Sequence, residues 1–246
     1  MGGGELVEIK LSIGEDDVAP ARARLGWADD TAVGGDIWLC DVISGKDADG
    51  NATLELFDRN LIVRLRHWFH DDGESDCTVK FRGTPPLQLP TAWAEPDDDH
   101  GYKIEGDWTG ESRKESASLK QKVAGHDITS SVAHGKPLAN GLFSDRQRQL
   151  AEALGPISWK ELEPLGPIHA LRWDAERHDG LGAKLAGEQW IAGDLRFLEL
   201  SIRVKEDEAL EWQGRFTDWA DHEKLGASAV GTTKTEAVLH HFASRP

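Results

Sequence analysis

Cationic side chains recur two residues apart along this chain: Arg64 with Arg66, Lys80 with Arg82, and Lys120 with Lys122. Two residues is the repeat of a β-strand, so both members of each pair leave the backbone on the same face. Glu8 and Lys10 are spaced in the same way, as are Lys103, Glu105 and Asp107, and Glu199 shares a face with Arg203. Apolar residues fill the alternate positions: Val7, Ile9 and Leu11; Leu61, Val63 and Leu65; Cys77, Val79 and Phe81; Leu198, Leu200, Ile202 and Val204. Arg172 sits between Leu171 and Trp173 in the same alternation. Stacked cations on one face repel unless anions lie among them. Arginine forks take phosphate oxygens in paired hydrogen bonds, and lysine adds a compact charge. Glutamates alone are poor phosphate ligands, but they suit a hard cation such as Mg²⁺ or Mn²⁺ that bridges carboxylate and phosphate. The chemistry implied is a metal–polyphosphate site. There, positioning and charge neutralisation carry the reaction, with a metal-oriented water as nucleophile.

One such strand is an ordinary sheet with one wet face. A whole set, closed into a barrel, brings the charged faces together around a guest. The apolar faces then point outward and need helices as cover. Period-2 stretches predict strands at Leu6–Ile13, Ile37–Ile43, Leu61–Phe69, Asp76–Arg82, Tyr102–Trp108, Ser116–Val123, Ile168–Ala175, Lys184–Ile191 and Arg196–Val204. Leu61–Phe69 and Asp76–Arg82 read as a hairpin across Asp71–Glu74, and Tyr102–Trp108 pairs with Ser116–Val123 in another. Ser144–Leu154 has the Ser144/Gln147 capping-box pattern of a helix. Ala209–Lys224 places Trp212, Phe216 and Trp219 at helical spacing. Thr235–Phe242 reads as a short terminal helix, and Ala21–Leu25 as a helical turn. Gly45–Asn51, Gly83–Asp99 and Gly125–Gly141 read as loops. The expected class is α+β, mainly antiparallel β, in a single domain over 1–246. Its strands fall in 5–123 and 167–205, with a helical insertion at 143–163 and C-terminal helices at 206–243.

The chain has 246 residues, within the roughly 200–250 that all-β folds reach as one domain. Its 44 acidic and 28 basic residues give a net charge of −16, which argues against nucleic acid or an anionic membrane as partner. An anion site must be built locally, against the overall field. Cys40 and Cys77 form no metal motif and read as buried free thiols. The start has no apolar secretory stretch, and no run reaches the roughly 20 residues of a membrane span. Together these predict a reducing, cytoplasmic setting and a small phosphorylated ligand.

Other chemistry finds little support. His67 and His70 leave a strand on opposite faces and do not share a metal. No phosphate-binding glycine loop and no nucleophile elbow is present. Asp97–Asp99 reads as a solvated loop rather than a Ca²⁺ site, and Trp159, Trp190 and Trp212 as core.

Five short runs, in order, resemble the CYTH superfamily, also called triphosphate tunnel enzymes. They are Val7-Glu-Ile-Lys10, Leu61-Ile-Val-Arg-Leu-Arg66, Thr78-Val-Lys-Phe-Arg82, Tyr102-Lys-Ile-Glu105 and Phe197-Leu-Glu-Leu200. Leu165-Gly-Pro-Ile168 leading to Arg172, and Arg196–Ser201, resemble uncharacterised bacterial members. The resemblance implies an antiparallel β-tunnel of about eight strands with a charged interior. It also implies triphosphate, nucleotide or polyphosphate substrates and dependence on Mg²⁺ or Mn²⁺. Related activities include inorganic triphosphatase, thiamine triphosphatase and adenylate cyclase. Lys10, Arg64, Arg66, Lys80 and Arg172 match phosphate-binding positions, and Arg82 and Arg203 join them by face. Glu8, Glu105 and Glu199 match the metal-binding carboxylates. Lys103, Lys120, Lys122, Asp107 and Glu188 are expected in support. The family's opening Glu-x-Glu-x-Lys here begins at Leu6, and its late Glu-x-Glu reads Glu199-Leu200-Ser201. Two carboxylates are therefore missing, and Asp107 and Glu188 are the residues placed to compensate. The reading is a metal-dependent triphosphatase. Its alternatives are a non-catalytic phosphate binder, an adenylate cyclase, or a scaffold with an empty tunnel.

Overall fold

Val7, Ile9, Leu11 and Ile13 are all buried, and their partners in the alternation, Glu8 and Lys10, face the other way into the middle of a closed barrel. The computed structural model describes residues 6–48, 50–69, 75–138, 141–228 and 234–244. Its strands are β1 (Leu6–Ile13), β2 (Val33–Asp41), β3 (Ile43–Lys46), β4 (Ala52–Leu54), β5 (Leu61–Trp68), β6 (Asp76–Gly83), β7 (Tyr102–Thr109), β8 (Ser112–Lys122), β9 (Glu163–Arg177), β10 (Lys184–Ala192), β11 (Leu195–Lys205) and β12 (Ala227–Ser228). The helices are α1 (Glu15–Leu25), α2 (Gly125–His134), α3 (Asp145–Ala153), α4 (Ala209–His222) and α5 (Lys234–Ala243).

Nine strands close the barrel in the order β11-β10-β9-β2-β5-β6-β8-β7-β1, with β1 pairing back onto β11. This is one strand more than the expected eight. Every pairing around the ring is antiparallel except β1–β7. The short β12 extends the end of β1, and β3–β4 is a separate hairpin.

The outward apolar faces are covered in two patches. On one side Val63, Leu65, Val79 and Leu119 pack beneath Ile128 of α2 and Leu150 of α3. On the other, Ile9, Leu200 and Ile202 pack beneath Val18 and Ala21 of α1 and Phe216 and Trp219 of α4. The capping box at Ser144 and Gln147 is formed, and Gln147 Nε2 also donates to the carbonyls of Cys77 and Leu119, tying α3 to β6 and β8. Gly187 on β10 lets Trp27 lie flat on the sheet: a Cβ there would sit 2.1 Å from the Trp27 ring, which stacks on Trp173 with centroids 5.1 Å apart.

The structure corrects three local expectations. Residues 125–134 form helix α2 rather than a loop. Their Gly, Thr and Ser content is a weak helix signal, but burial of Ile128 and Ser131 overrides it. Helix α1 begins at Glu15, well before Ala21, although Pro20 lies inside it. The loop expected at Gly45–Asn51 is entered by β3, whose hairpin with β4 closes around it. The hairpin pairing of β5 with β6 is present, while its turn at Asp71–Glu74 and His70 lie outside the described residues.

The barrel interior is not charged throughout. At the end formed by β2, β9, β10 and β11, inward positions carry Ile37, Leu39, Ile168, Ala170 and Trp190, and Val238 and Leu239 of α5 are buried against them. Helix α5 thus packs into one end of the barrel instead of covering its outside. Among the described residues no helix is long and apolar enough to cross a membrane.

Candidate functional site: a cationic tunnel

The charged remainder of the interior encloses a cavity of about 770 Å³, lined by Glu8, Lys10, Arg64, Arg66, Lys80, Arg82, Lys103, Glu105, Lys120, Lys122, Glu188, Glu199, Arg203 and Lys234, among others. Lysines and arginines outnumber carboxylates in this lining, ten to five. Asp76 and Asp107, set behind the lining, reduce the surplus without removing it. In a chain of net charge −16, this concentrates positive potential where the global field opposes it.

Asp107 is the pivot. Register places it on β7 beside Glu8 of β1. Its carboxylate receives Lys10 Nζ at 2.9 Å, Lys80 Nζ at 2.7 Å and Arg82 Nη2 at 2.6 Å. Burial pushes its pKa up, but these three cations outweigh burial and hold it well below the carboxylate range. Asp76, on β6, receives Arg66 at 2.7 Å, Lys120 at 3.4 Å and the Thr78 hydroxyl at 2.8 Å. One carboxylate shared by three cations fixes their positions and leaves most of their charge for a ligand.

Arg64 has no such partner. It lies on β5 between the rows of Leu39 and Thr78, and no carboxylate forms an ion pair with it among the described residues. Its Nε is buried and makes no hydrogen bond. Burial, with Arg66 alongside, lowers its pKa to about 10. Lys80 is lowered to about 8 by burial and by its neighbours Lys10 and Arg82, against the pull of Asp107. A guanidinium partly withdrawn from water and left unpaired is costly unless an anion reaches it.

The carboxylates expected to hold a metal are placed differently. Glu8 turns to Lys10 at 2.9 Å and Arg203 at 3.4 Å. Burial raises its pKa, but Lys10, Arg203 and Lys80 bring it to about 2. Glu199 lies opposite Ser12 on β1 and opposite Glu188 on β10, not level with Glu8. Glu105 lines the cavity from β7 beside Ser116 of β8. Among the described residues no three His, Cys, Asp or Glu side chains converge as a ligand set. The converging pair is Glu188 and Glu199. Such a pair fits a divalent ion that draws its remaining ligands from phosphates and water.

The other expected residues are also placed. Arg172, on β9 opposite Glu188, lies 4.7 Å above the Trp68 ring and 3.2 Å from Asp174, beside a second opening of about 920 Å³ that shares Glu8, Glu188, Glu199 and Arg203 with the first. Arg203 is exposed, at 56% of its side chain, and marks a rim. Leu6, standing for the family's first glutamate, is 45% exposed at this second opening. Asp97 pairs with His100 and Arg146, fastening its loop to α3, while Asp99 and His100 reach the tunnel lining. Trp190 is core and tunnel wall at once.

Two residues of the site were not expected. Asp76 has the strand parity of Lys80 and Arg82, and that signal was available. Lys234 comes from a helix, where strand parity says nothing.

No known protein-family model and no curated protein matches the chain. Solved structures do. One is a Hippeastrum protein proposed as an adenylyl cyclase and described as having a dominant triphosphatase activity; it aligns with a TM-score of 0.61 at 15% identity over 96% of this chain and 95% of its own. Another, proposed as an adenylate cyclase from Bacillus halodurans, aligns with a TM-score of 0.55 at 11% identity, over 94% and 96%. The chain therefore shares the fold of these two proteins, a closed β-tunnel.

Proposed function

We propose that this protein binds a linear triphosphate, or another phosphoanhydride, in its tunnel and hydrolyses it. One observation carries the reading. Arg64 presents a half-buried guanidinium, its Nε unpaired and with no ion-paired carboxylate among the described residues, in the same cavity wall as Lys10, Lys80 and Arg82, which share the carboxylate of Asp107, Lys10 reaching Glu8 as well. That arrangement holds unneutralised positive charge in a fixed geometry before any ligand arrives. Phosphoryl transfer asks for this kind of preorganised charge more than for covalent chemistry. Glu8, with a pKa of about 2, stays ionised and can accept a hydrogen bond from water but cannot act as a general acid near neutrality. The proposed cofactor is Mg²⁺ or Mn²⁺, with Glu188 and Glu199 as its protein ligands; when bound it would neutralise phosphate charge and help orient water. The proposed setting is a reducing cytoplasm, in keeping with the free, buried Cys40 and Cys77.

Inorganic triphosphate, ATP and thiamine triphosphate with Mg²⁺ or Mn²⁺ test the proposal. Phosphate release well above that of an Arg64→Ala/Lys80→Ala double variant is expected, and release equal to that variant overturns hydrolysis. A second reading, binding without turnover, is favoured by Leu6 and Ser201 at positions acidic in the family. It is expected to show as thermal stabilisation by triphosphate without metal and without phosphate release. Cyclic nucleotide among the products from ATP and Mn²⁺ would instead indicate a cyclase.

A further inference from the structure

Glu188 and Glu199 are direct cross-strand partners on β10 and β11. Two like charges facing each other in a wall are unfavourable unless a cation lies between them. Here the cation belongs to the chain. Lys234 Nζ lies 3.2 Å from Glu188 Oε1 and 3.1 Å from Glu199 Oε1, and its side chain is only 9% exposed. The ammonium also stands 4.2 Å over the Trp190 ring. Trp190 Nε1 in turn donates to Glu188 Oε1 at 2.6 Å, which orients that carboxylate. Below this cluster, Val238 and Leu239 anchor α5 in the apolar end of the barrel.

We infer that Lys234 is a tethered cation of the tunnel: it holds the point between Glu188 and Glu199 that a divalent ion would take, so a seated Lys234 ammonium and metal binding at this pair exclude each other. The consequence for turnover rests on the triphosphatase reading above, but the exclusion itself does not. Mg²⁺ binds carboxylate oxygens at about 2.0–2.1 Å. The ammonium now stands about 1 Å further out than that, so a metal can enter only if Lys234 leaves and the two carboxylates close in. Lys234 is thus a positioning residue that substitutes for metal while its ammonium lies between the two carboxylates, and its neutralisation unmasks a divalent-cation site.

The probe is Mn²⁺ alone, with no phosphate compound, followed by electron paramagnetic resonance of the free ion on the full chain. Wild type and Lys234→Arg are expected to bind Mn²⁺ weakly. Lys234→Met, which keeps an apolar stem over Trp190, is expected to bind one Mn²⁺ at least about tenfold more tightly. Lys234→Gln provides the same neutralisation if the Met variant folds poorly. Adding Glu199→Gln to either variant is expected to abolish the gain. Mn²⁺ binding no tighter in both neutral variants than in wild type overturns the inference, and so does a gain that survives Glu199→Gln. Because no phosphate is present, this result is independent of whether the tunnel takes triphosphate.

Discussion

Lys80 and Asp107 meet at 2.7 Å, and the oxygen that receives Lys80 also receives Arg82 at 2.6 Å. A side chain on β6 and one on β7 are thereby locked across β8, which lies between those strands in the sheet. Removing the shared carboxylate leaves Lys80 and Arg82 facing each other and Lys10, which keeps only Glu8. Asp107→Asn is expected to lose about 3–5 kcal/mol of stability in urea unfolding. Triphosphate, which can replace the lost negative charge, is expected to stabilise this variant more than it stabilises wild type. Equal ligand stabilisation of the two would count against a common phosphate-binding role for these cations.

Lys80 gives a pH signature. Its folded-state pKa of about 8 lies below the ordinary value of 10.5. Between these values the unfolded chain binds the proton and the folded chain does not, so stability is expected to rise with pH across that window. A phosphate beside Lys80 favours the ammonium and should draw a proton in. At about pH 9, calorimetric titration with triphosphate in two buffers of different ionisation enthalpy should show proton uptake, lost in Lys80→Met.

Arg64 predicts opposite signs for stability and binding. Its guanidinium is half-buried, with Nε unpaired and no ion pair among the described residues, so Arg64→Met should leave the ligand-free protein as stable as wild type or more so. The same change removes charged hydrogen bonds to a phosphate, and triphosphate affinity should fall about tenfold or more. Thermal unfolding with and without triphosphate reads both. A large loss of stability without ligand would show that Arg64 has a structural role instead.

Glu188 governs part of the acid limb. Burial raises its pKa, yet Lys234, Arg66 and Arg64 bring it from 4.5 down to about 2. A depressed carboxylate contributes stability that is full above its unfolded pKa and is lost as pH falls through its folded one. Wild type should therefore lose stability between pH 4.5 and about 2, and Glu188→Gln should flatten part of that loss in urea unfolding across the range.

On the outer wall, Gly187→Ala places a methyl where the Trp27 ring now lies. The ring must leave its stack on Trp173 or the strand must shift, at a cost of about 1–3 kcal/mol. Urea unfolding measures it. Triphosphate affinity is expected to stay near that of wild type, because Gly187 faces away from the tunnel.

Much of this architecture was written locally. Period-2 alternation marked every strand of the barrel and told which charged side chains share a face, because strand parity is set by adjacent residues alone, but it did not foresee that Ile37, Leu39 and Trp190 turn inward. Arg64, Arg66, Lys80 and Arg82 were legible for that reason, and the capping box at Ser144 for a similar one. Parity does not tell which inward residues meet. That Asp107 gathers Lys10, Lys80 and Arg82 depends on a parallel β1–β7 pairing between segments about a hundred residues apart in the chain. That Glu199 faces Glu188 and lies off the level of Glu8 depends on strand register. Nor could periodicity reveal that α5 packs inside the barrel, since a helix with Val238 and Leu239 on one face serves equally well as an outer cover. Sequence thus determined which faces are charged. Tertiary structure decided which carboxylates stay paired with cations, which guanidinium stays unpaired, and that Lys234 completes the acidic pair, because each of these is a distance between residues far apart in the chain.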